Sequence, residues 1–387
     1  NSVSVVDIAT HAEVARVPVS GDQPYRIVVT PDGSRAIVGV INDAVNSSFS
    51  VIDLDTLSET GVIDSASQGV IGGYFTPEYG IFGDTFTSFD VSVDSSKIVL
   101  ADRGGDRIMI YDIASGAELA ALATSDQPGA VDVSPVGNFA VVSCEGASRR
   151  VVKVDLATNS IASSFPTTAD LTWQLAKVTP DGQYAIVGQL NEVEFVHLTT
   201  GALTRLSTGS PGDIEFSADG LYAFVSNFNS RVINLATRSQ VASISYAACA
   251  EAAASPTSNV VVTLNNRFAE DAQFYSVNGA LSSFLGRSFT GPGMESDSTR
   301  ELAIMPDGRS VLFGNCTSWS AGFLDLGSNA MSPLTSTGFR TLDAAVSPDG
   351  RYAVATNADG QSVSIIDAQT RSLLVNLSVF DRPARVV

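Results

Sequence analysis

The sequence predicts an all-β protein built of repeated four-stranded antiparallel units, and three observations predict it. Apolar runs of about six residues, rich in Val, Ile, Ala and Thr, recur along the whole chain. The breaks between them carry Pro, Asp, Gly and Asn, the residues of tight turns. One block, Ala344 to Thr370 (AAVSPDGRYAVATNADGQSVSIIDAQT), shows the unit most clearly. It has an apolar run ending in Pro-Asp-Gly, a second run YAVATN, a polar loop and a third run SVSIID, and a fourth run, LLVNLSV, follows. Pro presets φ, Asp bonds back to the backbone and Gly takes positive φ, so the turn joins two antiparallel strands. Four such strands repeated at about 40 residues make the blade of a β-propeller.

Taken in order, Asn1 to Ser20 aligns with Gln361 to Val379 and supplies a third and fourth strand with no first or second before them. The chain thus begins inside a strand pattern, as expected of a processed or trimmed product. The next unit runs through YRIVVTPDG, RAIVGV, SFSVIDLDT and TGVID, and an insertion at residues 65–84, rich in Gly and aromatics, follows it. Further units begin at FDVSVDSS, VDVSPVG, AKVTPDG, IEFSADG, AAASPTS, LAIMPDG and AAVSPDG. That makes eight complete units, so one propeller domain over residues 1–387 is expected, most simply of eight blades, with seven or nine open. At the end DRPARVV restates DQPYRIV, the start of a first strand. The end pieces then close the ring, lie outside it, or pair with another molecule by strand addition.

Composition narrows the function classes. Net charge is −19, from 41 acids and 22 bases, and only three bases are lysines (Lys97, Lys153, Lys177). Nucleic acid and anionic membrane are therefore poor partners, and cations and basic surfaces suit better. No apolar run reaches the roughly 18 residues of a membrane span. Hydrophobic residues are 44% and charged residues 16%, as in a β-rich globular protein. The sequons at Asn46, Asn315 and Asn376 are compatible with secretion. The cysteines are Cys144, Cys249 and Cys316, none in a C-x-x-C pair, and with only His11 and His197 a zinc, copper or haem site is not expected. Cys249 and Cys316 fall at the same end of adjacent units, so a disulfide is one reading and two buried thiols the other.

In a propeller the first strand of each blade lines the axis. The residues two places before the Ser or Thr that precedes each turn are Val28, Asp90, Asp132, Lys177, Glu215, Ala253, Ala303 and Ala345. Four places before stand Arg26, Ser88, Ala130, Leu175, Asp213, Glu251, Glu301 and Asp343, on the same face by the period of two. Seven carboxylates (Asp90, Asp132, Asp213, Glu215, Glu251, Glu301, Asp343) thus face two cations. One reading is an electronegative channel holding a metal, with Ca²⁺ the natural guest of clustered oxygens. The other is that the acids are solvated, or bond to backbone amides of neighbouring blades. The Asp residues that end third strands (Asp7, Asp53, Asp112, Asp155, Asp325, Asp367) read as Asx-type turn residues. His11 and His197 read as surface or packing residues. There is no G-x-S-x-G, P-loop or His-rich set, so no catalytic residue is assigned.

The units resemble YVTN-type β-propeller repeats, with a pattern near P-x-x-V-A-V-S-P-D-G-x-x-V-Y-V-T-N followed by S-V-S-V-I-D-x-A-T. Residues Val346 to Asn357 and Ser362 to Thr370 carry the likeness best, while Ala252 to Asn265 and residues 65–84 depart from it. The resemblance implies a secreted, cell-surface or periplasmic setting; related propellers include lactonase-like and redox enzymes. The function expected is a non-catalytic binding or structural module, perceiving a protein or surface glycan partner or joining copies of itself through terminal strands. Its interaction residues would be Tyr74, Phe75, Tyr79, Ile81 and Phe82 of the insertion. The alternative is a metal-dependent, lactonase-type hydrolase at the acidic axis.

Overall fold

Each unit is built on a turn that the Pro-Asp-Gly signature reveals only in part. The residue before the Pro supplies the anchor. Thr30 donates its hydroxyl to Asp32 at 2.6 Å and accepts the Arg35 amide at 3.1 Å. The same pair of bonds recurs at Ser92 and Asp94, Thr179 and Asp181, Ser217 and Asp219, and Ser347 and Asp349, each hydroxyl lying 2.6 Å from its carboxylate. All five hydroxyl residues are buried. The turn glycine takes φ near +70° (Gly33 +71°, Gly350 +68°), where a Cβ would be strained. These bonds hold Asp32 at a pKa of about 2, its hydroxyl donor Thr30 being the largest cause.

The third strand ends in a second recurring device. Asp53 accepts the amides of Asp55 and Thr56 at 3.1 and 2.7 Å, and Asp7, Asp112, Asp155, Asp325 and Asp367 cap their turns in the same way. All six carboxyls sit below their ordinary value, with a hydrogen bond from the turn as the largest cause.

The computed structural model describes the chain apart from residues 22, 43–46, 65–88, 125–126, 146–147, 168–174, 189–190, 210, 212, 227–228, 246–248, 256, 258, 266–272, 279–280, 285–298, 316–319, 329, 331, 333–334, 339–340, 358 and 380–387. Its strands form eight four-stranded antiparallel sheets and one two-stranded sheet. Sheet 1 comprises Gln23–Val29, Arg35–Ile41, Ser47–Asp53 and Ser58–Asp64. Sheets 2 to 8 begin with Phe89–Val91, Pro128–Val133, Ala176–Val178, Asp213–Phe216, Cys249–Ala254, Thr299–Ile304 and Thr341–Val346. Within each, strand order follows the sequence. A count of sheets is not a count of blades in a closed ring, which depends on how the end strands are used. Among the described residues, the fourth strand of sheet 7 spans Thr335–Ser336. There Ser332 does part of the work, its hydroxyl accepting the Phe323 amide at 2.9 Å.

The chain divides into two compact units, residues 1–3 with 16–211, and residues 4–15 with 212–387. The first holds sheets 1 to 4, and its packing explains why the strands are apolar throughout. In the second strand of sheet 2, Ile98 and Leu100 join the core shared with sheet 1, while Val99 and Ala101 join the core shared with sheet 3. The period of two thus sends alternate side chains into two interfaces. Phe49 and Phe89 meet edge to face in the first of these, 4.8 Å between centroids. Cys144 is fully buried in the second. Lys97 ties sheet 2 to sheet 3 by donating to the Leu156 carbonyl and to Asn159 Oδ1.

In the second unit, sheets 5 to 8 pack in the same manner. Phe224 and Val261 lie between sheets 5 and 6, Val262 and Phe313 between 6 and 7, and Phe323 and Ile366 between 7 and 8. Sheet 8 also buries a polar column. Asn357 accepts the Thr341 hydroxyl at 3.1 Å and donates to Ser362 and Ser364 at 3.2 and 2.9 Å. Asn376 donates to the Thr337 carbonyl at 2.7 Å.

The two-stranded sheet pairs Ser2–Asp7 with Ala12–Pro18. Every residue of Ser2–Asp7 is half-buried, whereas its counterpart Ser362–Asp367 in sheet 8 is buried over its first five residues. Among the described residues, this hairpin has the outer pair of strands of a blade without the inner pair. Within the first unit, Ser20 donates from its amide and hydroxyl to Glu59 on the outer strand of sheet 1, at 3.0 and 2.9 Å.

Two outcomes follow from these bonds. Replacing Asn357 with Ala leaves three buried hydroxyl partners in want of a bond and lowers stability by about 1–3 kcal/mol, read as an earlier urea midpoint. Thr30→Val raises the Asp32 pKa toward its ordinary value in a carboxyl NMR titration. Because Asp32 is depressed in the fold, its stabilisation is present above about pH 4 and lost toward pH 2, and Thr30→Val removes that part of the acid sensitivity.

Candidate functional site

The first strands place the predicted acids one sheet apart, and the spacing decides what they do. Asp90 stands on Phe89–Val91, Asp132 on Pro128–Val133 and Lys177 on Ala176–Val178, at matching positions of sheets 2, 3 and 4. Asp90 Oδ2 accepts the Val133 amide of the next sheet at 2.8 Å, and its Oδ1 accepts the Val91 amide at 2.8 Å. Asp132 Oδ2 accepts the Val178 amide of the following sheet at 2.7 Å. Its other oxygen faces the Lys177 ammonium at 3.5 Å. Short first strands leave amides at their edges, and the carboxylates take them up.

This arrangement carries a perturbed group. Burial pushes the Asp132 carboxyl up to about 6; Lys177 and the Val178 amide oppose the shift and Asp90 adds to it. The side chain of Asp132 is 16% exposed and that of Lys177 39%, so the pair is reachable from solvent on its cationic side.

In the second unit, Asp213 and Asp343 occupy the positions four before their turns. Each carboxylate accepts the amide of the next residue at 2.8 Å, Ile214 and Ala344 respectively. Asp343 is buried and Glu215 half-buried. The side chains of Glu251 and Glu301 lie outside the described residues, as do Tyr74, Phe75, Tyr79, Ile81, Phe82 and Cys316. Cys249 is placed by its backbone alone, opposite Asn265 in sheet 6. Among the described residues, no group of three or more His, Cys, Asp or Glu side chains is placed to hold a metal ion, and no helix is long and apolar enough to cross a membrane.

The remaining candidates serve the turns and faces of the sheets. His197 stands where other units have Asp: its Nδ1 accepts the Thr199 and Thr200 amides at 3.1 and 3.3 Å. The alignment of VHLTTG with VIDLDTL carried that signal, which a search for catalytic histidines passes over. His11 lies edge to face against Tyr352 at 5.7 Å. Lys153 rests over the Phe139 ring at 4.1 Å. On sheet 4, Glu194 is fully buried and accepts Arg205 Nε at 3.1 Å from the neighbouring strand.

Sequence reasoning missed a second polar cluster, at the ends of sheets 2 and 3 where second strands lead into third strands. Asp102 accepts the Gly105 amide at 3.0 Å and Arg107 Nε at 2.7 Å. Beside it, Arg103 Nη1 lies 2.8 Å from Glu145 Oε2 and Nη2 donates to Gln127 Oε1 at 3.2 Å. Asp102 ends one strand and Arg107 begins the next, while Arg103, Gln127 and Glu145 lie just outside strands, where no periodicity marks them.

No protein-family model matches the chain, and no curated protein does. Among solved structures it is similar to dihydro-heme d1 dehydrogenase NirN in complex with DHE, at 16% identity and TM-score 0.59, over 99% of this chain and 78% of that one. It is also similar to Kuenenia stuttgartiensis hydrazine synthase, at 15% identity and TM-score 0.49 over 92% and 98% of the two chains. A third likeness is to the Myceliophteria thermophila Cps50 (Swd1) β-propeller domain, at 10% identity and TM-score 0.49 over 90% and 99%. The fold is an all-β propeller with four-stranded antiparallel blades. At such identities the likeness speaks for the fold alone.

The Asp132 environment sets a pH dependence with a definite sign. A carboxyl raised in the fold binds its proton more tightly there than in the unfolded chain, so its contribution to stability falls as pH rises from about 4 to about 6. Asp132→Asn removes that decline, worth up to about 3 kcal/mol at 1.36 per pKa unit. Urea midpoints of both proteins across this range should diverge, and parallel curves would count against the buried carboxyl.

Proposed function

We propose that this chain is a single propeller domain acting as a non-catalytic binding and structural module in a secreted, cell-surface or periplasmic setting. The observation that supports it is the use of the first-strand acids. Asp90 and Asp132 each give an oxygen to the amide of the next sheet, so they join sheets rather than gather round one ligand. The scarcity of lysine and the strong negative charge favour an extracytoplasmic protein whose partners are a basic protein surface or a surface glycan. The Ser-Pro-Asp-Gly turn and the buried Asn357 at the end of YAVATN support the YVTN-type assignment, since both depend on residues of that repeat pattern.

A second reading keeps one observation in its favour. Asp132, raised to about 6 beside Asp90, is the kind of carboxyl that could serve as an acid or base at near-neutral pH. A lactonase-type hydrolase would bring a divalent ion, calcium included, to the first-strand acids.

Elemental analysis and native mass spectrometry of chelator-treated and untreated protein separate the two. The module reading expects no stoichiometric divalent ion and the same mass and unfolding midpoint in both samples. A stoichiometric ion lost on chelation, with a lowered midpoint, would overturn it in favour of the hydrolase. The same spectra report self-association, the expected form of assembly if terminal strands are shared between copies.

A further inference from the structure

The sequence holds six Asp-Gly pairs, with their acids at Asp32, Asp181, Asp219, Asp307, Asp349 and Asp359. In such a pair the glycine amide nitrogen can attack the aspartate Cγ. The new N–Cγ bond closes a succinimide and a carboxyl oxygen leaves as water. Water then reopens the ring at either carbonyl, returning aspartate or leaving isoaspartate, in which the main chain runs through the side chain. Glycine favours the step because no Cβ hinders the approach. The carboxyl must be protonated to lose its oxygen, and the amide must give up its proton.

Five of the six pairs are bonded against both requirements. At their turns the glycine amide donates to the carbonyl three residues back, Gly33 to Thr30, Gly182 to Thr179, Gly220 to Ser217, Gly308 to Met305 and Gly350 to Ser347, each at 2.8 Å. The carboxylate accepts the amide of the residue two places on, at 3.0 Å for Asp32, Asp181 and Asp349 and 2.9 Å for Asp219 and Asp307. In four of the turns it also accepts the hydroxyl two places before, at 2.6 Å. The fifth has Met305 there and lacks that bond. The hydroxyl is the largest cause holding Asp32 and Asp349 below the ordinary carboxyl value, and an ionised carboxylate is a poor target for attack.

The sixth pair sits in a different turn. Asp359 and Gly360 join Tyr352–Asn357 to Ser362–Asp367 in sheet 8, and Asp359 is exposed. Two places before it stands Asn357, which has no hydroxyl and spends its side chain in the interior on Thr341, Ser362 and Ser364. In the five other turns the positive φ falls on the glycine, whereas here it falls on Gln361, at +46°, one place later.

We propose that Asp359 is a site of covalent modification, isomerising through a succinimide with Gly360, and that the Ser and Thr hydroxyls of the other turns shield their Asp-Gly pairs from the same reaction. Water is the sole co-reactant, the negative charge is kept, and isoaspartate inserts a methylene into the main chain of the loop. The site goes beyond the module reading and does not rest on it.

Peptide mapping of the folded full chain, held at neutral pH in water enriched in heavy oxygen, tests it. Ring opening leaves one heavy oxygen at the reacting residue even when aspartate returns, and electron-transfer fragments separate isoaspartate from aspartate. The Asp359 peptide should gain label and isoaspartate first, the Asp307 peptide next and the other four last, while in urea all six should react alike. Asp359→Glu, whose longer side chain closes the ring far less readily, should silence its own peptide. Ser347→Ala strips the hydroxyl from Asp349 and should raise labelling there about five- to tenfold, the rate equivalent of one hydrogen bond. Urea midpoints verify that the variants fold, and the order of labelling in the wild type decides the matter without them. Labelling of Asp359 no faster than that of Asp349 in the folded wild type would overturn the modification site, and an Asp349 rate unchanged in folded Ser347→Ala would overturn the shielding.

Discussion

Every second strand in this protein is apolar on both faces, and a four-stranded sheet with two apolar faces is stable only between neighbours that cover them. Ile98 and Leu100 on one side of sheet 2, and Val99 and Ala101 on the other, state the constraint in four residues. Burial of such surface is the dominant favourable term in folding. Sheet-on-sheet stacking within each unit follows from it, and so does the need to deal with the polar groups that stacking carries inward. The first-strand acids belong to that second requirement. Asp90 and Asp132 satisfy amides on adjacent sheets that would otherwise be buried or half-buried without a partner, and in doing so they register each sheet against the next.

The turns divide the electrostatic work. At the Pro-Asp-Gly turns and at the ends of third strands, carboxylates accept amides and hydroxyls, so their ionised form belongs to the fold and their pKa values fall. Asp132 and Glu145 stand apart, because burial outweighs the donors they have. The first set makes the fold resist neutral pH and give way to acid, while the second makes a smaller opposing demand. A net charge of −19 is tolerable because so much of it is spent on local turns, where each negative charge faces backbone amides rather than another carboxylate.

Much of the fold was legible in the sequence, because strand period and turn chemistry are local. Eight turns read from Pro, Asp and Gly mark the first and second strands of eight four-stranded sheets, and the Asx reading of Asp7, Asp53, Asp112, Asp155, Asp325 and Asp367 holds at each position. The Ser or Thr ahead of the proline was read as a marker, whereas its buried hydroxyl anchors the turn. The bounds of the fourth strand of sheet 7 were not visible either, since Pro333 and the surrounding Ser and Thr residues fit a strand end or a loop equally well in the sequence.

The site was less legible, for a physical reason. Position along a first strand tells which face a residue takes, so Asp90, Asp132 and Lys177 could be grouped from the sequence. It does not tell how far apart neighbouring sheets hold them, and that distance separates a metal cage from a series of amide acceptors. Glu145 shows the same limit from the other side. Nothing in EGASRR marks its first residue as buried, and only the packing of sheet 2 against sheet 3 brings Arg103 to one of its oxygens. Contacts of this kind arise between repeats, where each unit is ordinary and the junction is not.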